Sequence, residues 1–317
     1  MFKWSKRVKV QMEEIFGGGP PQLSFDQAMD MYFVARTTEL TERSKETYHY
    51  NLNRLKRWLA EKEIALQDVS LWDSRRWVDD LQSRDVKFPN HPFREPQPGK
   101  LSPNTIAGIV KAVKVFFAWM TEEGLIKDDP AAELSRVRGK RGEVKFLDEN
   151  DVARLLIACN DLPTQVRRRR ARALFMLVFD SGARATEVAE LRIDQLRLDK
   201  HRAVIKGKGG NIEHIYFLPA TTEALRQWLE VREQVAKSDC PYVFVSVGGI
   251  TPGQGMKRSG LYRIVHKIGK SVGIDADLHT LRRSMSTLFI DEDVGRGDVR
   301  QLQGLLRHRQ ISTTERY

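Results

Sequence analysis

The sequence predicts a mainly α protein with a small β-sheet, built as an N-terminal helical bundle followed by a second, α+β domain. Three observations carry this reading. Apolar residues recur at helical spacing through 24–134, broken by one Pro-rich stretch. Alternating residues flank a "GKGG" turn at 207–210, the pattern of a β-hairpin. A polar, basic segment with two glycines, 135–146, separates the two textures and is read as an interdomain linker. A chain of 317 residues is long enough for two cores.

Residues 1–23 end in "GGGPPQ" and are expected to be a flexible lead-in. The first helix is expected at "SFDQAMDMYFVART", where Ser24 and Gln27 form a capping-box pattern. A second covers roughly 43–62, with Tyr48, Leu52, Leu55, Trp58 and Leu59 on one face. A short third follows Asp73, with Trp77, Val78 and Leu81 inward. "VKFPNHPFREPQPGK" reads as a long surface loop. The fourth helix starts after Ser102, takes Pro103 in its first turn and runs to Gly124. A turn of helix at "DPAAEL" closes the bundle, and Trp58, Phe116 and Trp119 are assigned to its core.

The second domain, 147–317, opens at "LDENDVARLLIA" with Asp148 as cap. "RRRR" at 167–170 is expected to precede a buried helix, "ARALFMLVFD", as a solvated face or a phosphate contact. Strands are expected within 195–219 and at "YVFVS", and helices at about 221–235, 256–272, 279–291 and 297–307.

The formal charge is +11, spread as a net +4 over 1–147 and +7 over 148–317. Such an excess favours polyanionic partners, nucleic acid first. The two cysteines, Cys159 and Cys240, fit buried free thiols of a reducing compartment. There is no Cys/His cluster for zinc, no apolar segment after the basic start that would make a signal peptide, and no run near the ~20 apolar residues of a membrane helix.

Six residues with reactive or phosphate-binding side chains sit at element boundaries: Arg184, Lys208, His279, Arg282, His308 and Tyr317. Singly, each has a structural use. Arg184 suits a helix C-terminus, Lys208 a solvated turn, His279 a helix start. Together they form a set able to attack a phosphodiester. Guanidinium forks match phosphate oxygens, a Lys or His supplies a proton, and a Tyr hydroxyl serves as nucleophile.

"SGARATEVAEL", "GKGG", "HTLRRSMST" and "LLRHRQISTTERY" resemble, in order, the first arginine box, the hairpin lysine, the H-x-L-R-H box and the closing L-L-G-H…T-T…Y of the tyrosine recombinases, or phage integrases. The spacings fit as well: 24 residues from Arg184 to Lys208, 3 from His279 to Arg282 and 9 from His308 to Tyr317. The resemblance covers about residues 24–317 and implies a SAM-like core-binding domain over 24–134 ahead of a catalytic domain over 147–317.

By that resemblance Tyr317 attacks the scissile phosphate and leaves a 3′-phosphotyrosyl bond. Arg184 and Arg282 clamp the non-bridging oxygens, and Lys208 protonates the departing 5′ oxygen. His279 assists proton transfer, His308 hydrogen-bonds the phosphate, and Glu187 positions its neighbours. The implied partner is double-stranded DNA at recombination sites, bound by a protein that is monomeric without DNA and tetrameric on synapsed DNA, with possible help from DNA-bending accessory proteins. No cofactor or metal is implied, and the implied location is the cytoplasm of a prokaryote, at the nucleoid.

Two residues depart from the family pattern: Arg283 stands where a second His is usual, and Arg307 where Gly usually precedes the last His. The sequence also stops at Tyr317, where relatives continue with a tail that docks on a neighbour, so weak adduct formation and poor strand exchange are expected of this form. Two other readings use the same features: a type IB topoisomerase, and a DNA-binding recombinase relative defective in exchange. The compact helical front domain and the fit to all four boxes argue against the first, and the intact Arg, Lys, His and Tyr set against loss of cleavage.

Overall fold

The computed structural model describes residues 22–87, 95–135, 146–207, 210–291, 297–307 and 314. The chain divides into two compact units, Met1–Gly142 and Glu143–Tyr317. The expected lead-in lies outside the described residues except for its last two, and so does most of the expected linker.

The first unit holds four helices among the described residues: α1 (Phe25–Ala35), α2 (Glu42–Glu61), α3 (Leu71–Ser83) and α4 (Pro103–Glu122). Local chemistry sets their starts. Ser24 and Gln27 form the expected capping box, and Ser102 caps α4 with Pro103 in the first turn. α3 begins two residues before Asp73, because Ser70 is its cap and the Asp73 carboxylate closes the capping box. The core is aromatic. Tyr32 meets Phe116 and Trp119 edge-on at 5.6 and 5.3 Å, and Phe25 stacks on Phe116 at 5.5 Å. Phe116 and Phe117 are wholly buried, so these rings are packing and not a base-stacking surface.

Two expectations are corrected here. The base of the Pro-rich loop is paired, with β1 (Val86–Lys87) antiparallel to β2 (Gln97–Pro98). "DPAAEL" is a turn and not a helix: Asp129 accepts the Ala131 N–H, and Lys114 on α4 takes the Ala132 and Leu134 carbonyls. Those partners satisfy backbone groups that a helix would otherwise use.

The second unit is centred on α6 (Gln165–Ser181), with Leu174, Phe175, Leu177 and Val178 in the core. Around it lie α5 (Glu149–Ala158), capped by Asp148 as expected, α7 (Ala185–Glu190), α8 (Pro219–Arg232), α9 (Arg258–Ser271), α10 (Leu278–Ile290) and α11 (Val299–Leu306). A three-stranded antiparallel sheet runs β3 (Leu196–Arg197), β4 (Arg202–Lys206), β5 (Ile212–Tyr216). Its register pairs Ala203 with Ile215 and Ile205 with Glu213, so that Ala203, Ile205 and Ile215 face the core.

The arginine run belongs inside α6, which starts at the Thr164 cap. Its side chains hold neighbouring backbone. Arg168 donates to Leu162 O, Arg169 to Gln227 O and to the Glu230 carboxylate, and buried Arg170 to Val245 O at 2.9 Å. Burial, with the charge of Arg167, pulls the Arg170 guanidinium down to about 10. "YVFVS" is not a strand but two isolated bridges, Arg192 to Tyr242 and Val245 to Gly255. Side chains have taken its carbonyls: Arg232 holds Tyr242 O, the Trp228 indole N–H holds Val243 O, and Arg170 holds Val245 O. Cys159 is buried, which pushes its thiol up to about 12, whereas Cys240 is half-buried. Among the described residues no helix is long and apolar enough to cross a membrane.

Candidate active site

The site begins where α6 ends. Gly182 caps that helix in the left-handed conformation, at φ 56°. A Cβ there would lie 2.3 Å from the Met285 methyl and 2.8 Å from a Leu306 methyl, so a side chain at 182 would displace both as well as strain the backbone. This close approach brings three elements together: the α6–α7 turn with Arg184, α10 with Arg282, and the end of α11.

Arg282 is the joint between them. It is 4% exposed on α10, and its guanidinium donates to Gly182 O and, at 3.1 Å, to Leu306 O. Two carbonyls from different elements fix the plane of the fork. Arg184, the residue before α7, is different: its side chain is 40% exposed. Its backbone N–H donates to Glu187 Oε2 at 2.8 Å, and its Nη1 donates to Glu187 Oε1 at 2.7 Å. One buried carboxylate thus holds both the backbone and the head of Arg184 while leaving the side chain open to solvent.

His279 stands in the first turn of α10, which Asp277 caps, so the histidine is not the cap. The ring is at the surface, yet partial desolvation lowers its pKa below the ordinary histidine value. The charges of Arg283 and Arg282 add to the lowering, and Asp277 opposes it. At neutral pH the ring is therefore a neutral imidazole, able to accept a proton. Lys208, His308 and Tyr317 lie outside the described residues.

Sequence reasoning missed one part of the site. Arg307 follows α11 in the left-handed conformation, φ 55°, which costs a residue bearing a Cβ roughly 1–2 kcal/mol. Its Nη2 donates to Glu187 Oε2 at 2.7 Å, and its Nε lies 3.1 Å from Glu213 Oε2 on β5. The second approach lacks hydrogen-bond geometry and is a pairing of charge alone. The Glu213 carboxylate rests against Gly207, where a Cβ would come within 2.3 Å of it. The signal for Arg307 was its place in a glycine position. Glu213 had no local signal, being one of several polar residues in an alternating strand.

Comparison with known proteins gives the family and the fold. The phage integrase family matches residues 145–317. Tyrosine recombinase XerC of Alcanivorax borkumensis is 30% identical over 278 residues, 84% of this chain and 82% of that protein. Tyrosine recombinase XerC of Lactobacillus leichmannii is 29% identical over 222 residues, 69% of this chain and 72% of that protein. In fold, the Tn1549 transposon integrase in complex with transposon right end DNA aligns with a TM-score of 0.72, covering 93% of this chain and 95% of that one at 14% identity. With the family matched over the whole unit that carries both arginine boxes, the chain belongs to the phage integrase family and is a tyrosine-type site-specific DNA recombinase.

Proposed function

We propose that Arg184, Lys208, His279, Arg282, His308 and Tyr317 carry the cleavage and rejoining of DNA, with Glu187 in support. The observation that supports this most is the meeting of the two arginine boxes: Arg282 grips the carbonyl of Gly182, two residues before Arg184. Boxes a hundred residues apart in sequence are adjacent in space.

In this reading the Tyr317 oxygen bonds to the scissile phosphorus as the bond from phosphorus to the 5′ oxygen breaks. His279 accepts the tyrosine proton, and Lys208 gives a proton to the departing 5′ oxygen. Arg184 and Arg282 stabilise the charge that builds on the non-bridging oxygens. The 3′-phosphotyrosine conserves the bond energy, so a 5′ hydroxyl of another strand rejoins the chain by the reverse steps. Residues 24–134 act as a core-binding domain that embraces the duplex with the catalytic unit, through the basic linker 135–146. Synapsis assembles four copies, with accessory DNA-bending proteins where the sites require them. The protein works in the cytoplasm, on nucleoid DNA.

The test is covalent trapping on a nicked suicide duplex whose site is first selected from a random duplex library. An adduct mapped by proteolysis and mass spectrometry to Tyr317, lost in Tyr317→Phe with binding intact, is the expected result. An adduct on another tyrosine, such as Tyr262, would overturn the assignment.

A further inference from the structure

Arg307 combines three features that set it apart from an ordinary helix-end arginine. Its backbone is left-handed, at φ 55°. Its side chain is only 9% exposed. Its guanidinium lies between carboxylates from two different elements, Glu187 of α7, whose side chain is 6% exposed, and Glu213 of β5, at 26%. A strained backbone and a buried charge are both unfavourable alone, so the pairing with the two carboxylates is what the arrangement serves.

We infer that Arg307 is a positioning residue for strand cleavage: it offsets the charge of Glu187 and Glu213, so that the positive charge of Arg184 is left to act on the phosphate. The inference rests on the assignment of Arg184 as a phosphate clamp. Glu187 gives one oxygen to the Arg184 head and the other to the Arg184 backbone N–H and Arg307. With Arg307 present, two guanidinium groups balance two carboxylates, and Arg282 adds a further positive charge. Without it, both carboxylates bear on Arg184 and Arg282, and an incoming phosphate meets a site with one positive charge fewer. Charges only a few ångströms apart in a partly buried site are weakly screened, so the loss is felt at the phosphate. Arg307 also ties the turn end of the β4–β5 hairpin to the end of α11, because the Glu213 carboxylate rests on Gly207.

The experiment is single-turnover cleavage of the selected suicide duplex, with the dissociation constant and the melting temperature measured separately. Arg307→Met keeps the length of the side chain and removes its charge. It should slow cleavage by about tenfold or more while holding DNA affinity within about threefold. Arg307→Lys should retain most of the rate. The deciding variant adds Glu213→Gln to Arg307→Met. Removing one carboxylate restores the balance, so the double variant should cleave at least about threefold faster than Arg307→Met alone. Wild-type cleavage by Arg307→Met, or a double variant no faster than the single, would overturn the inference while a normal Tyr317 adduct left the catalytic assignment standing. A wild-type chain that formed no adduct at Tyr317 would remove the assignment and this inference together.

Discussion

The two units bury different things. The front bundle buries mainly rings: Tyr32, Phe116, Phe117, Trp58 and Trp77 fill it, and its described ion pairs, such as Lys56 with Asp26, lie at the surface apart from that of buried Asp73 with Arg76. The second unit buries charge. Arg170, Arg232, Arg282 and Glu187 are all below a tenth exposed. These charges divide into two kinds. Arg170 and Arg232 saturate carbonyls of a segment that forms no ladder, Val245 O for the first and Cys240 and Tyr242 O for the second. Arg282 and Glu187 instead converge on the turn that carries the exposed head of Arg184. Buried charge alone does not mark a site; buried charge that holds another charge open to solvent does.

The largest expected effect tests the bundle side. Phe116→Ala should remove about 3–5 kcal/mol of stability from the front unit, through lost burial and the cavity left behind. Five of the six tryptophans precede residue 142, so fluorescence-monitored urea unfolding reports mainly on that unit. Cleavage by molecules that remain folded should be unchanged.

Arg282→Lys should do the opposite. An ammonium cannot reproduce the fork, so cleavage should slow by about 10²–10³ with DNA affinity within a few fold. Parallel loss of binding and cleavage would place Arg282 with the structural arginines. Arg170→Met is the matched control. It strands the Val245 carbonyl and should cost about 1–3 kcal/mol in the second unit, with the cleavage rate of folded protein unaltered. A cleavage defect without a stability defect would erase the division between the two kinds of buried arginine.

The cap of α1 predicts a smaller change. Ser24→Ala should destabilise the front unit by about 0.5–2 kcal/mol, read from the same urea transition.

The smallest effect concerns His279. Its proton titration, followed by NMR of the ring, should fall below the ordinary 6.5, and Arg283→Gln should move it upward by removing a repelling charge. Because the folded value is the lower one, the unfolded chain binds the proton more readily. The stability that His279 contributes is therefore complete above 6.5 and is lost as pH falls through the folded value. A titration at or above 6.5 would remove the desolvation argument.

Much of this protein was written locally in its sequence. Helix starts were legible because a cap is a contract between neighbours: Ser24 with Gln27, Ser102 with Pro103, Asp148 with the turn it opens. The proposed catalytic set was read from boxes whose order and spacing resemble the family pattern, which requires no knowledge of the fold. Contacts between distant segments were not. "YVFVS" has the composition of a strand, and only the arrival of Arg170, Trp228 and Arg232 from two helices takes the carbonyls that a partner strand would have used. The arginine run looked like a solvated face because its acceptors lie up to 75–80 residues away in the chain. Arg307 read as a departure from glycine, while its meaning depends on Glu187 and Glu213, 120 and 94 positions earlier and on two different elements. Local propensity is a property of neighbouring residues, whereas the balance of buried charge is set by whichever residues packing brings together.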